Sequence, residues 1–466
     1  MAMGTKGTKG SSDPSAMARH SRESGNPAPL AFDSMKSLDP RLRGDDGHPS
    51  DPATSTALPR LRFPEFRGTD GWDTYLLEDL EGLGWMELGR GNVISNQDIK
   101  NIPGNFPIYS SSVKNNGYMG SYGRFMFDEE LISWSIDGGG DFFHRPKHKF
   151  SVTNVSGYMR LAASNLNYQF IASQLQSLHS KLKFDYQIKA HPSVVRKLYC
   201  LAVPKPAEQK KIADCLTSLD EVIGAQQQKV EALKTYKRGL MQQLFPREGE
   251  TRPRLRFPEF RDAPEWSGRA LGPMTIKVGS GITPRGGDKN YKSKGRPFMR
   301  SQNVGWGHLL LEDIAFIDES THASFDGTEI VESDVLLNIT GASIGRSAIA
   351  DFRIVGGNVN QHVCIIRTKS DELSPLLLNQ FLISERGQEQ IDSFQAGGNR
   401  QGLNFAQIRS LEIPLPPSQK EQQRIADCLS SLDAQIAAES HQLAALKTHK
   451  QGLMQQLFPA PEAASA

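Results

Sequence analysis

The chain is poor in cysteine, with four in 466 residues (Cys200, Cys215, Cys364 and Cys428), none in a CxxC or CxC spacing. That excludes a cysteine metal site. Cys215 and Cys428 sit inside helical patterns as small apolar residues, and the whole usage points to a reduced, cytoplasmic setting. No apolar run reaches the roughly 18 residues that a membrane span needs. The N-terminus lacks the basic, apolar, small-residue order of a secretion signal. The net charge is only +2, so affinity for nucleic acid must come from local clusters rather than bulk charge.

Catalytic signatures are missing too. There is no GxxxxGK(S/T) phosphate loop, no Asn-Pro-Pro or Asp-Pro-Pro followed by an aromatic as in amino-methyltransferases, no HExxH and no GxSxG. The run DGGGDFF (137–143) has neither phosphate-loop spacing nor a following helix, and reads as a turn. His144 and His148 lie among Lys and Arg, a poor place for a cation. Glu332 and Asp334 have no lysine at nuclease spacing and read as a solvated turn. The balance favours a binding protein over an enzyme, with no metal or cofactor held by this chain.

What is present is repetition. PRLRFPEFR occurs at 59–67 and, letter for letter, at 253–261, each copy followed by a tryptophan (Trp72, Trp266). KIADCLTSLDEVIGAQQQKVEALKTYKRGLMQQLFP (211–246) returns as RIADCLSSLDAQIAAESHQLAALKTHKQGLMQQLFP (424–459). The chain is a tandem duplication whose frame is repeated around two dissimilar, strand-rich middles, and its fold class is α+β. A Pro-rich hinge closes each middle, AVPKPAEQ (202–209) and EIPLPPSQKEQ (412–422). Residues 1–58 are rich in Ser, Gly, Pro, Asp and Arg and are expected to be disordered. Part of that stretch resembles a translated intergenic repeat, so the true start is expected downstream of it.

In the first repeated helix Ile212, Leu216, Leu219, Ile223, Gln226, Val230, Leu233, Lys237, Leu240 and Leu244 recur at alternating steps of four and three. The second repeats this with Ile425, Leu429, Leu432, Ile436, Glu439, Leu443, Leu446, Lys450, Leu453 and Leu457. That period is a coiled-coil seam, and two seams in one chain most simply pack on each other. The polar members at matching positions set register. A helix of about 33 residues spans ~50 Å, and an antiparallel pair gives a pseudo-twofold rod.

Both middles carry basic and aromatic clusters. In the first these are Arg145, Lys147 and Lys149 of FFHRPKHKF (142–150), and Ser110–Ser112, Lys114, Asn115, Asn116, Tyr118 and Arg124 of 109–124. Ser111 is the central serine of that run. In the second, Arg285, Lys289, Tyr291, Lys292, Lys294, Arg296 and Arg300 stand in 284–306 against one acid, Asp288. Gln302 and Asn303 of RSQN, Arg346, and Asn360, Gln361 and His362 of NVNQH add base-reading types. Lys and Arg neutralise phosphates, while Arg, Asn and Gln make paired contacts to base edges. A solvated loop explains either cluster alone as well as DNA contact does; two clusters on one spacer favour DNA.

These residues also carry a resemblance. Over roughly 59–459 the chain resembles the specificity (S) subunit of type I restriction-modification systems, through IPLPPSQKEQQRIADCLSSLD, VPKPAEQKKIADCLTSLD, GNFPIYSSSVKNNGY, ITGASIGRSAI and GNVNQHV. One departure is a first hinge shorter by three residues. The resemblance implies two target-recognition domains (59–203 and 253–412), hinges with spacer helices (204–246 and 413–459), a linker (247–252) and a tail (460–466). It implies that each domain reads half of an asymmetric bipartite double-stranded DNA site. It further implies that the antiparallel coiled coil sets the gap and docks two methyltransferase (M) subunits, and that restriction (R) subunits join them. S-adenosylmethionine, ATP and Mg²⁺ then belong to partner subunits. The alternatives are a self-contained endonuclease or methyltransferase with a degenerate site, and a coiled-coil scaffold that does not bind DNA.

Overall fold

The computed structural model describes residues 55–112, 114–137, 141–182, 189–325, 327–395 and 402–459. Most of the expected disordered head, the glycines of 138–140 and the tail lie outside them. Ser55–Ala57 is a correction: it lies inside the stretch expected to be disordered, yet pairs antiparallel with Trp72–Leu76.

Each domain is tied shut by its own first and last strands. Trp72–Leu76 runs antiparallel to Cys200–Val203, and Ser267–Ala270 to Glu412–Leu415. In the first domain a six-stranded sheet has the order Met86–Arg90, Ser156–Leu161, Phe127–Ser135, Phe142–Val152, Phe106–Tyr109, Tyr118–Tyr122. In the second, a four-stranded sheet (Thr275–Ser280, Val363–Thr368, Val335–Asn338, Ser347–Ile349) accompanies a three-stranded one (Ala315–Ile317, Arg296–Met299, Asn358–Val359).

Beneath their different sequences the two middles share a kernel. Ile108 and Tyr109 pair in parallel with Ser151 and Val152, as Phe298 and Met299 do with Asn358 and Val359. Immediately after, Thr153 N–H donates to Tyr109 O at 2.9 Å and Asn360 N–H to Met299 O at 2.9 Å. A glycine presses on each crossing: a Cβ at Gly91 would collide with Val152 O, and one at Gly281 with Val359 O.

The two long helices, Pro206–Leu244 and Gln419–Leu457, have 39 residues each, longer than the seam alone suggested. At 1.5 Å per residue each spans about 58 Å. They run antiparallel: Lys450 pairs with Asp220 at 2.5 Å and Lys237 with Asp433 at 2.6 Å. Between these layers the Gln226 amide donates to Glu439 at 2.6 Å, and Lys229 pairs with the same carboxylate at 2.6 Å. Every seam residue of both helices is buried or half-buried. The helices start at equivalent positions, and two residues separate strand from helix in the first hinge against three in the second. The hinges thus differ by one residue, not three.

The repeated nine residues seat each domain on this rod. Arg62 donates through two nitrogens to Glu208, both bonds 2.7 Å, and also to Thr69 O and Asp70 O. Arg256 makes the same fork with Glu421 at 2.7 and 2.8 Å, and bonds to Ala263 O and Pro264 O. Glu208 and Glu421 are the buried acids of the helix starts, 2% and 0% exposed. Hydrogen bonding to Glu421 holds the Arg256 guanidinium above its ordinary pKa. Phe63 and Phe257 pack on the first and second cores, and Phe66 and Phe260 are half-buried.

Each motif also grips the far end of the other helix. Leu61 N–H donates to Gln456 O at 3.0 Å, and Leu255 N–H to Gln243 O at 2.9 Å. Leu457 and Phe458 enter the first domain's core, where Phe458 meets Phe170 at 5.5 Å between ring centroids. Leu244 and Phe245 enter the second, against Trp266 and Phe381. Each domain is therefore built on the start of its own helix and the end of its neighbour's.

Removing one partner strands a buried charge. Arg256→Ala or Glu421→Ala is expected to cost about 3–5 kcal/mol, read as a lowered denaturation midpoint. An unchanged midpoint would show that the fork is dispensable.

Candidate nucleic-acid interface

In the first domain the loop after Phe106–Tyr109 turns back through Ser110 N–H to Gly117 O at 2.8 Å. Asn115 and Asn116 sit at its tip with φ of 50° and 51°. Two successive left-handed residues suit asparagine, whose short polar side chain tolerates this region better than most. Turn geometry thus accounts for their type, and both side chains remain exposed beside Lys114 and Tyr118, with Ser111 half-buried.

Arg145 departs from its expected surface place and is 5% exposed. Simple alternation would set Arg145, Lys147 and Lys149 on one face. The strand carries a bulge instead: His148 stands opposite Glu129 but Arg145 opposite Leu131, one residue more on this strand than on its partner. The extra residue reverses the facing, so Arg145 turns inward beside Leu131 while Lys149, opposite Asp128, is exposed. Lys149 lies 4.9 Å from the Phe125 ring. Lys147 and Arg124 are exposed, and no hydrogen bond joins these three to the loop tip among the described residues.

The second domain's basic stretch is more neutralised than its sequence suggests. Acids from outside the stretch reach it: Asp313 pairs with Arg300 at 3.3 Å, Asp318 with Lys292 at 3.7 Å, and Glu319 with Arg296 at 2.7 Å. Thr321 and Ser320 hydrogen-bond to Asp318 and hold its carboxyl at about 2. Asp313 also accepts from the Gln302 amide. Asn303 and Asn360 are buried, 1% and 7% exposed, and structural: Asn303 donates to Leu310 O and Asp313 O, and Asn360 accepts from His362 N–H. Tyr291 stacks obliquely on Phe298, and burial raises its pKa. Arg285, Lys289 and Lys294 are exposed and make no ion pair among the described residues.

An open groove gathers three of the expected residues from three segments. Gln302, Arg346 and His362 line it with Ser301, Thr340, Gly341, Ala342 and Ser343. Thr340 and His362 are hydrogen-bonded at 2.6 Å, and Gln361 stands exposed beside His362. The Arg346 side chain has no hydrogen-bond or ion-pair partner among the described residues. Thr340, Ser301 and Ser343 escaped the sequence reading; the signal was the pair of glycines, Gly341 and Gly345, at positive φ of 72° and 84° that fold ITGASIGR back on itself. Among the described residues no group of His, Cys, Asp or Glu could hold a metal ion.

A family model described as a type I restriction modification DNA specificity domain matches twice, over residues 70–235 and 290–448. The chain belongs to that family. Two such domains lie along it. A putative type I specificity subunit of Mycoplasma pneumoniae is 32% identical over 168 residues, 35% of this chain and 44% of that protein. The specificity subunit of a type I restriction enzyme of Methanocaldococcus jannaschii is 23% identical over 339 residues, 70% of this chain and 77% of its own. The match thus spans under half of the first relative's length. In fold, the crystal structure of a type I restriction-modification S subunit from M. genitalium superposes with a TM-score of 0.57 at 16% identity, over 87% of this chain and 100% of that one.

The left-handed tip of the first domain's loop has a direct check. Asn115→Gly should leave stability within about 0.5 kcal/mol, whereas Asn115→Val should cost about 1–2 kcal/mol in denaturant unfolding.

Proposed function

We propose that the two domains each read one half of an asymmetric, bipartite double-stranded DNA site, and that the antiparallel helices fix the unread gap between the halves. The observation that carries this is two unlike heads held by like forks, Arg62–Glu208 and Arg256–Glu421, on the two ends of one paired rod. The helix faces left outside the seam would dock two methyltransferase subunits, and restriction subunits would join that core. S-adenosylmethionine, ATP and Mg²⁺ would be bound by those partners and not by this chain. No helix among the described residues is long and apolar enough to cross a membrane; the complex would act on DNA in the cytoplasm.

The base- and phosphate-reading candidates are the loop tip Ser111, Lys114, Asn115, Asn116 and Tyr118, and the groove residues Gln302, Arg346, Gln361 and His362. Free cations at Arg285, Lys289 and Lys294 would meet phosphates. Mapping methylated adenines in DNA from cells with and without this chain, each with an M subunit, tests the reading. A split site whose methylation depends on the chain supports it, and an unchanged pattern overturns it. Arg346→Ala is expected to relax discrimination in one half-site only, by about 1–3 kcal/mol per base pair read. Inserting four residues beside Gln226 and four beside Glu439 lengthens both helices by about 6 Å. That should widen the gap while leaving both half-site sequences intact, as methylation mapping would record.

A further inference from the structure

We propose that Arg145 is a positioning residue for the first domain's reading loop, holding the Asn115–Asn116 tip from beneath without touching DNA. This rests on the reading of the domain as a DNA reader. The guanidinium Nε donates to Ser133 Oγ at 2.8 Å and Nη2 donates to Asn116 O at 2.6 Å. Its carbon lies 3.7 Å from the Tyr109 ring centroid and 4.8 Å from that of Phe143. No carboxylate pairs with it among the described residues.

A buried cation without a counter-ion is costly unless its donors and its charge are otherwise met. Here two ring faces and two oxygens meet them, and burial lowers the pKa only to about 10, so the charge persists at neutral pH. One of those oxygens is the backbone carbonyl of a left-handed residue. That conformation costs asparagine less than most residues, but two in succession still hold only where the surroundings support them. The neighbouring position is also closed: a Cβ at Gly117 would lie 3.2 Å from Arg145 Nη2 and 3.0 Å from Ser110 O. The guanidinium therefore fixes the tip from below while the bond from Ser110 to Gly117 fixes its base.

The second domain supports its equivalent loop by a neutral route. Asn338, fully buried, donates to Ser301 O at 2.8 Å, and Asn303 ties the following turn. One buried strand residue gripping one loop carbonyl thus recurs in both halves, with different chemistry.

The test uses the assembled complex of this chain with its M subunits. Binding is measured on the mapped site, on single-base variants of each half, and as a function of salt. Arg145→Lys, which keeps the charge but not the fork, and Arg145→Gln should each lose about tenfold discrimination among variants of the first domain's half-site. Discrimination in the other half should stand, and the slope of log K against log salt should not change. A slope reduced by about 0.9, with discrimination intact, would mean that Arg145 reaches a phosphate itself. Ser133→Ala, a smaller change, should weaken the same half-site about threefold. If the Arg145 variants do not fold and Ser133→Ala keeps full discrimination, the positioning role is wrong. A wild-type complex with no sequence-dependent binding would instead overturn the DNA reading.

Discussion

Two buried guanidinium–carboxylate forks decide where everything else in this molecule can sit. Arg62–Glu208 and Arg256–Glu421 fasten the repeated motifs to the first turns of the long helices, at side-chain exposures of 10% and less. An apolar contact would tolerate sliding, but a planar fork that also binds two backbone carbonyls has one seat. The domain, its hinge and the helix start are thereby fixed together. Because the same motifs also hold the ends of the opposite helices, the two forks close one continuous frame. The halves differ in one detail: Trp266 Nε1 donates to Glu421 at 3.2 Å, while Trp72 Nε1 is buried with no hydrogen-bond partner among the described residues.

The pseudo-twofold has a chemical centre. Lys237 and Lys450 occupy equivalent positions, as do Asp433 and Asp220, so the two lysine–aspartate layers are copies of one another. Gln226 and Glu439 are equivalent to each other and meet across the axis. An identical pair of glutamates there would place like charges in a half-buried layer. One glutamine and one glutamate give a donor, an acceptor and a single charge that Lys229 answers. Polar layers of this kind sacrifice stability for register, and here they fix how the two helices lie along one another.

The frame was legible because it is written twice, and the seam because its period is regular over ten positions in each helix. The forks were not legible, although both members recur. The phenylalanines of PRLRFPEFR stand out as apolar anchors, and nothing in a local pattern shows that an arginine 146 residues upstream meets the glutamate of a hinge. The site was less legible still. A one-residue bulge turns Arg145 from surface to interior, and Asn115 and Asn116 owe their type to the turn. The basic stretch of the second domain looks unopposed in sequence only because Asp313, Asp318 and Glu319 lie beyond its end.

The two heads differ in sheet arrangement and in loops, but around a shared crossing. The parallel pair, the returning backbone bond and the pressing glycine are the same in both. None of these depends on the side chains of the loops beyond them. A loop of asparagines over a buried guanidinium and a groove of threonine, histidine and arginine can therefore stand on the same support. That support is made of backbone bonds and buried ion pairs, whereas the loops answer only to their local anchors. The physical separation between the two lets the loops of one half change while the rod and the other half stay as they are.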